Sequence, residues 1–355
     1  MNRLADDLDH VLARTRELWE ETRGKRIFVT GGTGFFGSWL LESFVWANDH
    51  LSLNSEIHVL TRSEEAFAEK APHLANHPAV RFHHGDVRSF DFPPGTFAYV
   101  IHAATAASAK LNEEDGLLML DTVMQGTRRT LDFARSCQAE KFLLTSSGAV
   151  YGPQPSELSH VGEEYLGGPD PMALASSYGE GKRLAELLCA IYHRQYGLET
   201  KIARCFAFVG PYLPLNSHFA IGNFIRDALA GSPVRVGGDG TPYRSYLYAA
   251  DLVIWLWTIL FKGDSCLPYN VGSEQDLTIS ELAGTVAHAV GSHPVDVRIA
   301  LPPISGKLPS RYVPATRRAY EDLGLQTLIE LPDAIRRTAK WAKECSSDMQ
   351  RTTAG

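Results

Sequence analysis

The segment Arg26-Ile27-Phe28-Val29-Thr30, followed at once by Gly31-Gly32-Thr33-Gly34-Phe35-Phe36-Gly37, constrains this chain more than any other. A short, largely apolar run bounded by glycines reads as a strand of a covered parallel sheet. The glycines then supply a tight turn and open a helix. A side chain there would block the turn, the close approach of a pyrophosphate, or the packing of helix on strand. Free amides and the positive end of the helix would face the phosphates. Gly31, Thr33, Gly34, Phe35, Phe36 and Gly37 are therefore candidate dinucleotide contacts.

The rest of the chain alternates in the same way. Strands are expected at 26–30, 56–61, 79–83, 98–102, 141–146 and 200–205, and helices at 35–47, 64–71, 113–137 and 173–196. Apolar strands separated by helical patterns predict a doubly wound parallel α/β sheet covered on both faces. Residues 3–22 read as a helix outside the nucleotide-binding unit, packed on the main domain. After Gly210-Pro211 the pattern loosens into a smaller α/β lobe over 211–345. A late strand near 267–271 and a helix at 278–291 lie within that stretch. The polar tail after about Ser346 is expected to fray.

Composition narrows the class of function. The chain has 355 residues, 44% hydrophobic and 21% charged, with a formal net charge of -7. That charge argues against a nucleic-acid surface. No apolar stretch reaches the ~20 residues of a membrane span. Met1 to Asp9 carries acids rather than a basic segment before an apolar core, so no signal peptide is expected. Cys137, Cys189, Cys205, Cys266 and Cys345 are scattered, odd in number and without metal-ligand spacing, which suits a reducing, cytoplasmic compartment and no metal.

The end of the second strand bears on which dinucleotide binds. An acid there holds an unmodified ribose, while an Arg accommodates a 2′-phosphate. Here Glu56-Ile57-His58-Val59-Leu60 runs into Thr61-Arg62-Ser63, with no acid at the decisive position. Arg62 points to NADP, with NAD possible through other contacts. Asp86-Val87 follows the third strand, where a carboxylate could meet the adenine amino group. Ala103, Ala104 and Thr105 end the fourth strand and are small enough for close passage of a cofactor. His102 beside them reads as a packed histidine.

The chemistry sits in Tyr178-Gly179-Glu180-Gly181-Lys182. Hydride transfer at a carbinol carbon needs a partner for the hydroxyl proton. Tyr178 can be that partner if positive charge lowers its pKa, ordinarily ~10. Lys182, one turn along the same helix face, can supply the charge. The run Thr145-Ser146-Ser147 ends the fifth strand, where a serine can hydrogen-bond the reacting oxygen.

At this point the chain resembles the extended short-chain dehydrogenases/reductases that act on sugar nucleotides. The resemblance covers about residues 25–342. It includes the glycine turn, Ser-x-x-Val-Tyr-Gly, Tyr-x-x-x-Lys, Arg204…Val209-Gly210-Pro211, Gly238-Asp239-Gly240…Arg244-Ser245-Tyr246-Leu247-Tyr248…Asp251-Leu252, and Arg311-Tyr312-Val313-Pro314. It implies a Rossmann domain over 25–210 that takes in a late strand near 245–275, a homodimer, and a nucleoside-diphosphate sugar held between two lobes. Ser147, Tyr178 and Lys182 would be catalytic, with Ser147, Asn223, Arg244 and Arg311 on the substrate. The aromatic-rich stretch 212–224 resembles the family's substrate-covering loop.

Departures from the family pattern narrow the reaction. Members that eliminate water, and related decarboxylases, typically carry an acid just after the catalytic Ser/Thr; here those positions are Gly148 and Ala149. Ala207 and Thr122 stand where the family often has Asn, and Gly181 where it often has Ser. Hydride chemistry at C4 of the sugar is the expected activity. A 4-keto-sugar reductase is favoured by Arg62, with a 4-epimerase as the alternative. Dehydratase, decarboxylase and a non-catalytic dinucleotide-binding protein rank below.

Overall fold

The computed structural model describes residues 2–105, 114–217, 219–291, 293, 295–306 and 308–353. Seven strands form one sheet: β1 (Arg26–Thr30), β2 (Glu56–Thr61), β3 (Val80–His84), β4 (Tyr99–His102), β5 (Lys141–Ser147), β6 (Glu199–Cys205) and β7 (Pro268–Val271). Their order across the sheet is β7-β6-β5-β4-β1-β2-β3, and every pairing is parallel. The chain winds outward from β1 to β3, then crosses back to β4 beside β1. The carboxyl ends of β1 and β4 thus flank the switch point of a doubly wound sheet, where ligands of such sheets bind.

Strand β1 shows why the sequence takes this form. Ile27, Phe28 and Val29 are all fully buried. Ile27 and Val29 belong to one core and Phe28 to another on the opposite face, as two-residue alternation requires. Phe28 stacks among Phe90, Phe97 and Phe133 under the helices that cover its face. Those helices are α3 (Gly116–Ser136) and α4 (Ser177–Tyr196), which pack on each other. The other face is covered by α1 (Ala5–Thr15), α2 (Phe35–Leu51) and α6 (Ala249–Lys262), with α5 (Ala220–Leu229) lying between them in sequence. Helix α6 is mostly apolar and buried on every side, Asp251 and Thr258 being its buried polar residues, with Trp255 and Trp257 enclosed and Trp257 Nε1 donating to Ser43 Oγ at 2.9 Å.

Strand boundaries fall within one residue of expectation. The late strand, β7, joins the far edge of the main sheet, and its Pro268 sits at the first position of an edge strand, where a missing donor is tolerated. Two expectations are corrected. Residues 3–22 do not form one α-helix: α1 ends at Thr15 and the chain winds more tightly through Arg16–Thr22. The Thr15 hydroxyl donates to the Val11 carbonyl at 2.7 Å and accepts from Trp19 Nε1 at 3.0 Å, drawing the next turn inward. The segment packs on α6 and α2, and Tyr248 donates to Asp7 at 2.6 Å. The tail after Ser346 is helical to Thr353 as part of Leu331–Thr353. Asp333 pairs with Arg336 and Arg337 in its first turns, and Arg337 also reaches Asp7. No helix among the described residues is long and apolar enough to cross a membrane.

Beyond Gly210 three short strands form a ribbon in the order Leu277–Thr278, Tyr243–Arg244, Arg311–Tyr312. This ribbon carries late-chain residues to the end of β5.

Candidate active site

Three of the four glycines of the turn are close-packed, Gly32 against Val59, where a Cβ would approach to 2.7 Å. Gly31 has φ +73°, and a Cβ there would lie 2.6 Å from the Ala103 carbonyl group and the Ala104 nitrogen. The small residues that end β4 thus run against the turn, with Ala103 N donating to Thr30 O at 3.1 Å and Ala104 N to Thr30 Oγ1 at 3.2 Å. A Cβ on Gly37 would lie 2.3 Å from Gly31 O and the Gly32 backbone. Gly34 is exposed, and its added Cβ would meet only Gly31 O, at 3.3 Å. It opens α2 with no side-chain cap, so the first-turn amides are left for a ligand. Thr33 offers its carbonyl to Lys70 Nζ at 3.0 Å. Phe35 and Phe36 continue into α2, Phe36 packing edge-on to Phe208 at 5.1 Å. At the end of β4, Thr105 Oγ1 is buried without a partner among the described residues. An open helix terminus, a cradle that a Cβ would fill and an orphan hydroxyl fit a dinucleotide.

Arg62 is exposed just past β2, and its charge reaches Asp86. Asp86 is itself held by Arg88, through Nε, Nη2 and the backbone amide, each at 2.9 Å. That hydrogen bonding pulls the carboxyl down to about 2, so Asp86 stays ionised. Val87 packs against Gly126, where a Cβ would approach to 3.0 Å. Arg88 was not singled out in the sequence; its signal was the local Asp-x-Arg spacing.

His102 is enclosed. One ring nitrogen meets Thr30 Oγ1 at 2.7 Å, the other Thr127 Oγ1 at 3.1 Å. Burial, helped by the Lys182 charge, holds it down to about 3, so it is neutral. Between pH 6.5 and pH 3 the unfolded chain binds a proton that the folded chain refuses, so stability is lost as pH falls through this window. At pH 5 the loss from this group is about 2 kcal/mol. His102→Gln should flatten the pH dependence of urea unfolding by most of that amount between pH 6.5 and 5; an unchanged slope would contradict the neutral assignment.

Strand β5 and helix α4 bring Ser147, Tyr178 and Lys182 together. Ser147 is buried at the last position of β5, and its Oγ accepts from Ala149 N at 3.1 Å. Tyr178 stands at the start of α4, partly buried. The expected lowering of its pKa by Lys182 is corrected: burial pushes the phenol up to about 12, and the one group that lowers it is Ser147, through a hydrogen bond. Lys182 is almost fully enclosed, donates to Thr145 O at 2.8 Å, and lies 5.8 Å from the Tyr178 ring centre. Burial lowers it to about 8. Glu186, one turn further on, accepts from Ser146 at 2.5 Å and pairs with Arg204 at 2.7 Å. This partly buried pair ties α4 to β5 and β6.

The expected substrate residues do not converge. Asn223 is taken up locally, donating to Ser217 O at 2.8 Å and accepting from Arg226 at 2.9 Å. In the ribbon, Arg311 is opposite Tyr243, and Tyr312 is opposite Arg244. Successive residues of a strand face opposite sides, so Arg244 and Arg311 lie on opposite faces. Arg311 is paired with Asp276 at 2.6 Å and stacks on Tyr243 at 4.0 Å. Arg244 is half-buried with its Nη1 on Tyr243 O and no carboxylate partner among the described residues. On the Arg311 strand, the residue that shares Arg244's face is Tyr312, whose hydroxyl lies 3.5 Å from Ser147 Oγ. Nothing local marked it, because only the ribbon pairing brings it there.

The sheet order and this set of groups define a doubly wound, dinucleotide-type enzyme fold with a tyrosine-lysine pair at the strand ends. Residues 27–272 match the NAD dependent epimerase/dehydratase family, and the chain belongs to it. UDP-glucuronic acid decarboxylase 6 of Arabidopsis thaliana is 33% identical over 314 residues, 87% of this chain and 86% of that protein. UDP-glucuronic acid decarboxylase 1 of Xenopus tropicalis is 29% identical, covering 90% of this chain and 72% of its own. Among solved structures, a dTDP-glucose 4,6-dehydratase from Streptomyces venezuelae, with NAD bound, superposes with a TM-score of 0.75 at 25% identity, over 90% of this chain and 97% of its own. An epimerase from Methanothermobacter thermautotrophicus shares the fold with a TM-score of 0.77 at 21% identity, over 96% of this chain and 98% of its own.

Proposed function

We propose that this protein transfers hydride at C4 of a nucleoside-diphosphate sugar, and that its net reaction is reduction of a 4-keto sugar. The observation that carries hydride chemistry at C4 is the Ser147-Tyr178-Lys182 set with no carboxylate at the two positions after Ser147, and Arg62 is the feature that favours net reduction over epimerisation. Gly31, Thr33, Gly34, Phe35, Phe36 and Gly37 would hold the pyrophosphate, with Ala103, Ala104 and Thr105 alongside. Asp86 and Val87 would border the adenine. A bound dinucleotide would supply the hydride. Ser147 hydrogen-bonds the substrate oxygen, and Tyr178 donates the proton to it. A buried phenol held at about 12 keeps its proton, which suits the reducing direction. Lys182 then stabilises the phenolate that remains. NAD is the cofactor of the family, and Arg62 is the feature that favours use of NADP.

A second reading is decarboxylation of a nucleoside-diphosphate uronic acid, favoured by the decarboxylase relatives and by Arg244. A 4-keto uronic acid is a β-keto acid and loses CO₂ without help from a side-chain carboxylate. A half-buried guanidinium with no acidic partner is suited to an anion, either that carboxylate or a diphosphate. In either case Arg244→Ala should raise KM roughly 10- to 100-fold, the worth of a charge-assisted contact, with kcat changed less. Arg311→Ala should raise it far less, because Arg311 faces away and is already paired. Equal effects would sink this distinction.

The deciding experiment incubates the protein with UDP- and dTDP-linked 4-keto-6-deoxy sugars and NADH or NADPH, and with UDP-glucose and UDP-glucuronic acid and NAD. Stoichiometric consumption of the reduced nicotinamide with a 4-keto sugar supports the reductase. Inversion at C4 without net consumption means a 4-epimerase. Release of CO₂ from UDP-glucuronic acid means a decarboxylase.

A further inference from the structure

Ser147 is bracketed by two phenols, and only Tyr178 has a part in the reaction described so far. The second, Tyr312, comes from the far end of the chain through the ribbon. Its ring packs on Phe206 with centroids 4.7 Å apart, and its hydroxyl lies 3.5 Å from Ser147 Oγ. Burial keeps this phenol protonated, and the neighbouring Tyr178 works in the same direction.

The same two rings occupy the space beside Gly148. A Cβ added there would meet the Phe206 ring at 2.7 Å and the Tyr312 hydroxyl at 2.8 Å. The missing side chain after Ser147 is therefore not an empty place. It is filled by aromatic groups delivered from β6's exit and from the ribbon.

The hydrogen-bond capacity of Ser147 gives the second phenol a task. A serine hydroxyl has one proton and two acceptor sites. Ala149 N takes one acceptor site at 3.1 Å. A neutral Tyr312 that donates to the other leaves the single Ser147 proton with one direction to point, toward the substrate oxygen beside Tyr178. Without Tyr312, the Ser147 proton can rotate onto another acceptor, and the oxygen at C4 loses a preorganised donor.

We propose that Tyr312 is a positioning and specificity-determining residue. It orients the Ser147 hydroxyl for proton and hydride exchange at C4, and with Phe206 it closes position 148 to any side chain that could act on a neighbouring carbon. This rests on the C4 reading above.

The test is a double-mutant cycle of Tyr312→Phe and Ser147→Ala, read as the rate of absorbance change of the bound nicotinamide on mixing with a reactive nucleotide sugar. Tyr312→Phe keeps the ring against Phe206, and equal melting temperatures confirm that packing is retained. In the wild-type background this substitution should slow the step about 3- to 10-fold, the worth of one neutral hydrogen bond, with KM unchanged. In the Ser147→Ala background it should have almost no further effect, since the two hydroxyls act as one unit. Full multiplication of the two effects, or a wild-type rate for Tyr312→Phe, would overturn the proposal while leaving the C4 reading intact. If no nucleotide sugar changes the nicotinamide absorbance of the wild-type protein, the C4 reading fails and the role of Tyr312 falls with it.

Discussion

Tyr178→Phe should slow turnover by roughly 10²–10⁴-fold, the range for loss of a general acid-base group, while NADH affinity measured by fluorescence titration stays within a factor of about two. The substitution removes one oxygen and leaves the ring in place at the start of α4. Its cost therefore falls on proton transfer rather than on packing. The phenol is pushed up to about 12 by burial, so in the resting protein it carries its proton and is ready to donate. On the proposed mechanism, donation would leave a phenolate in a buried site, and the ammonium of Lys182 would offset that charge. Lys182 is itself lowered to about 8 by burial. It is charged at neutral pH and loses its charge as the medium becomes more alkaline. The rate of reduction should accordingly decline as pH rises through about 8, and Lys182→Met should be slow at every pH with that limb removed. Near-normal turnover of Tyr178→Phe would take this residue out of the mechanism altogether.

The parts of this protein that were legible in its sequence are those written in short-range patterns. The glycine turn after β1 needs a particular residue type at particular offsets, so Gly31, Gly34 and Gly37 announce it. Tyr178 and Lys182 share a helix face because they are four residues apart, and the structure places both beside Ser147 for that reason. Parallel order could be inferred because alternating apolar strands and helices leave few other arrangements. What was not legible depends on register between distant segments. Arg244 and Arg311 both looked like ligands for one anion, yet a ribbon pairs Arg311 with Tyr243 and turns it to the opposite face. A shift of a single residue in such a pairing reverses every side chain. That same register delivers Tyr312 to Ser147, a contact no local pattern could announce. The break after Thr15 was hidden for a related reason, since hydrophobic spacing does not show that Thr15 will bond both Val11 and Trp19.

Gly37→Ala should be the most damaging small substitution in the cofactor half, and Gly34→Ala beside it sets the scale. A Cβ at Gly37 would lie 2.3 Å from Gly31 O and from the Gly32 backbone. Those are backbone atoms of the turn itself, and Gly31 is fixed in turn against Ala103 and Ala104 at the end of β4. No flexible side chain can give way, so α2 must move off the sheet. Overpacking of this kind costs about 1–3 kcal/mol or more. The displacement also carries the first-turn amides away from the pyrophosphate, so NADH affinity should fall by at least about 100-fold, corresponding to about 2.7 kcal/mol of misplaced phosphate contacts. Gly34 differs because its added Cβ would meet only Gly31 O, at 3.3 Å, on an exposed side of the turn. Gly34→Ala should therefore melt within a few degrees of wild type and lose affinity only through crowding of the ligand. Melting curves and NADH titrations of the two variants separate the cases. If Gly37→Ala melts and binds like Gly34→Ala, helix-strand contact is not what demands glycine at position 37, and the phosphate site does not depend on the close seating of α2 against β1.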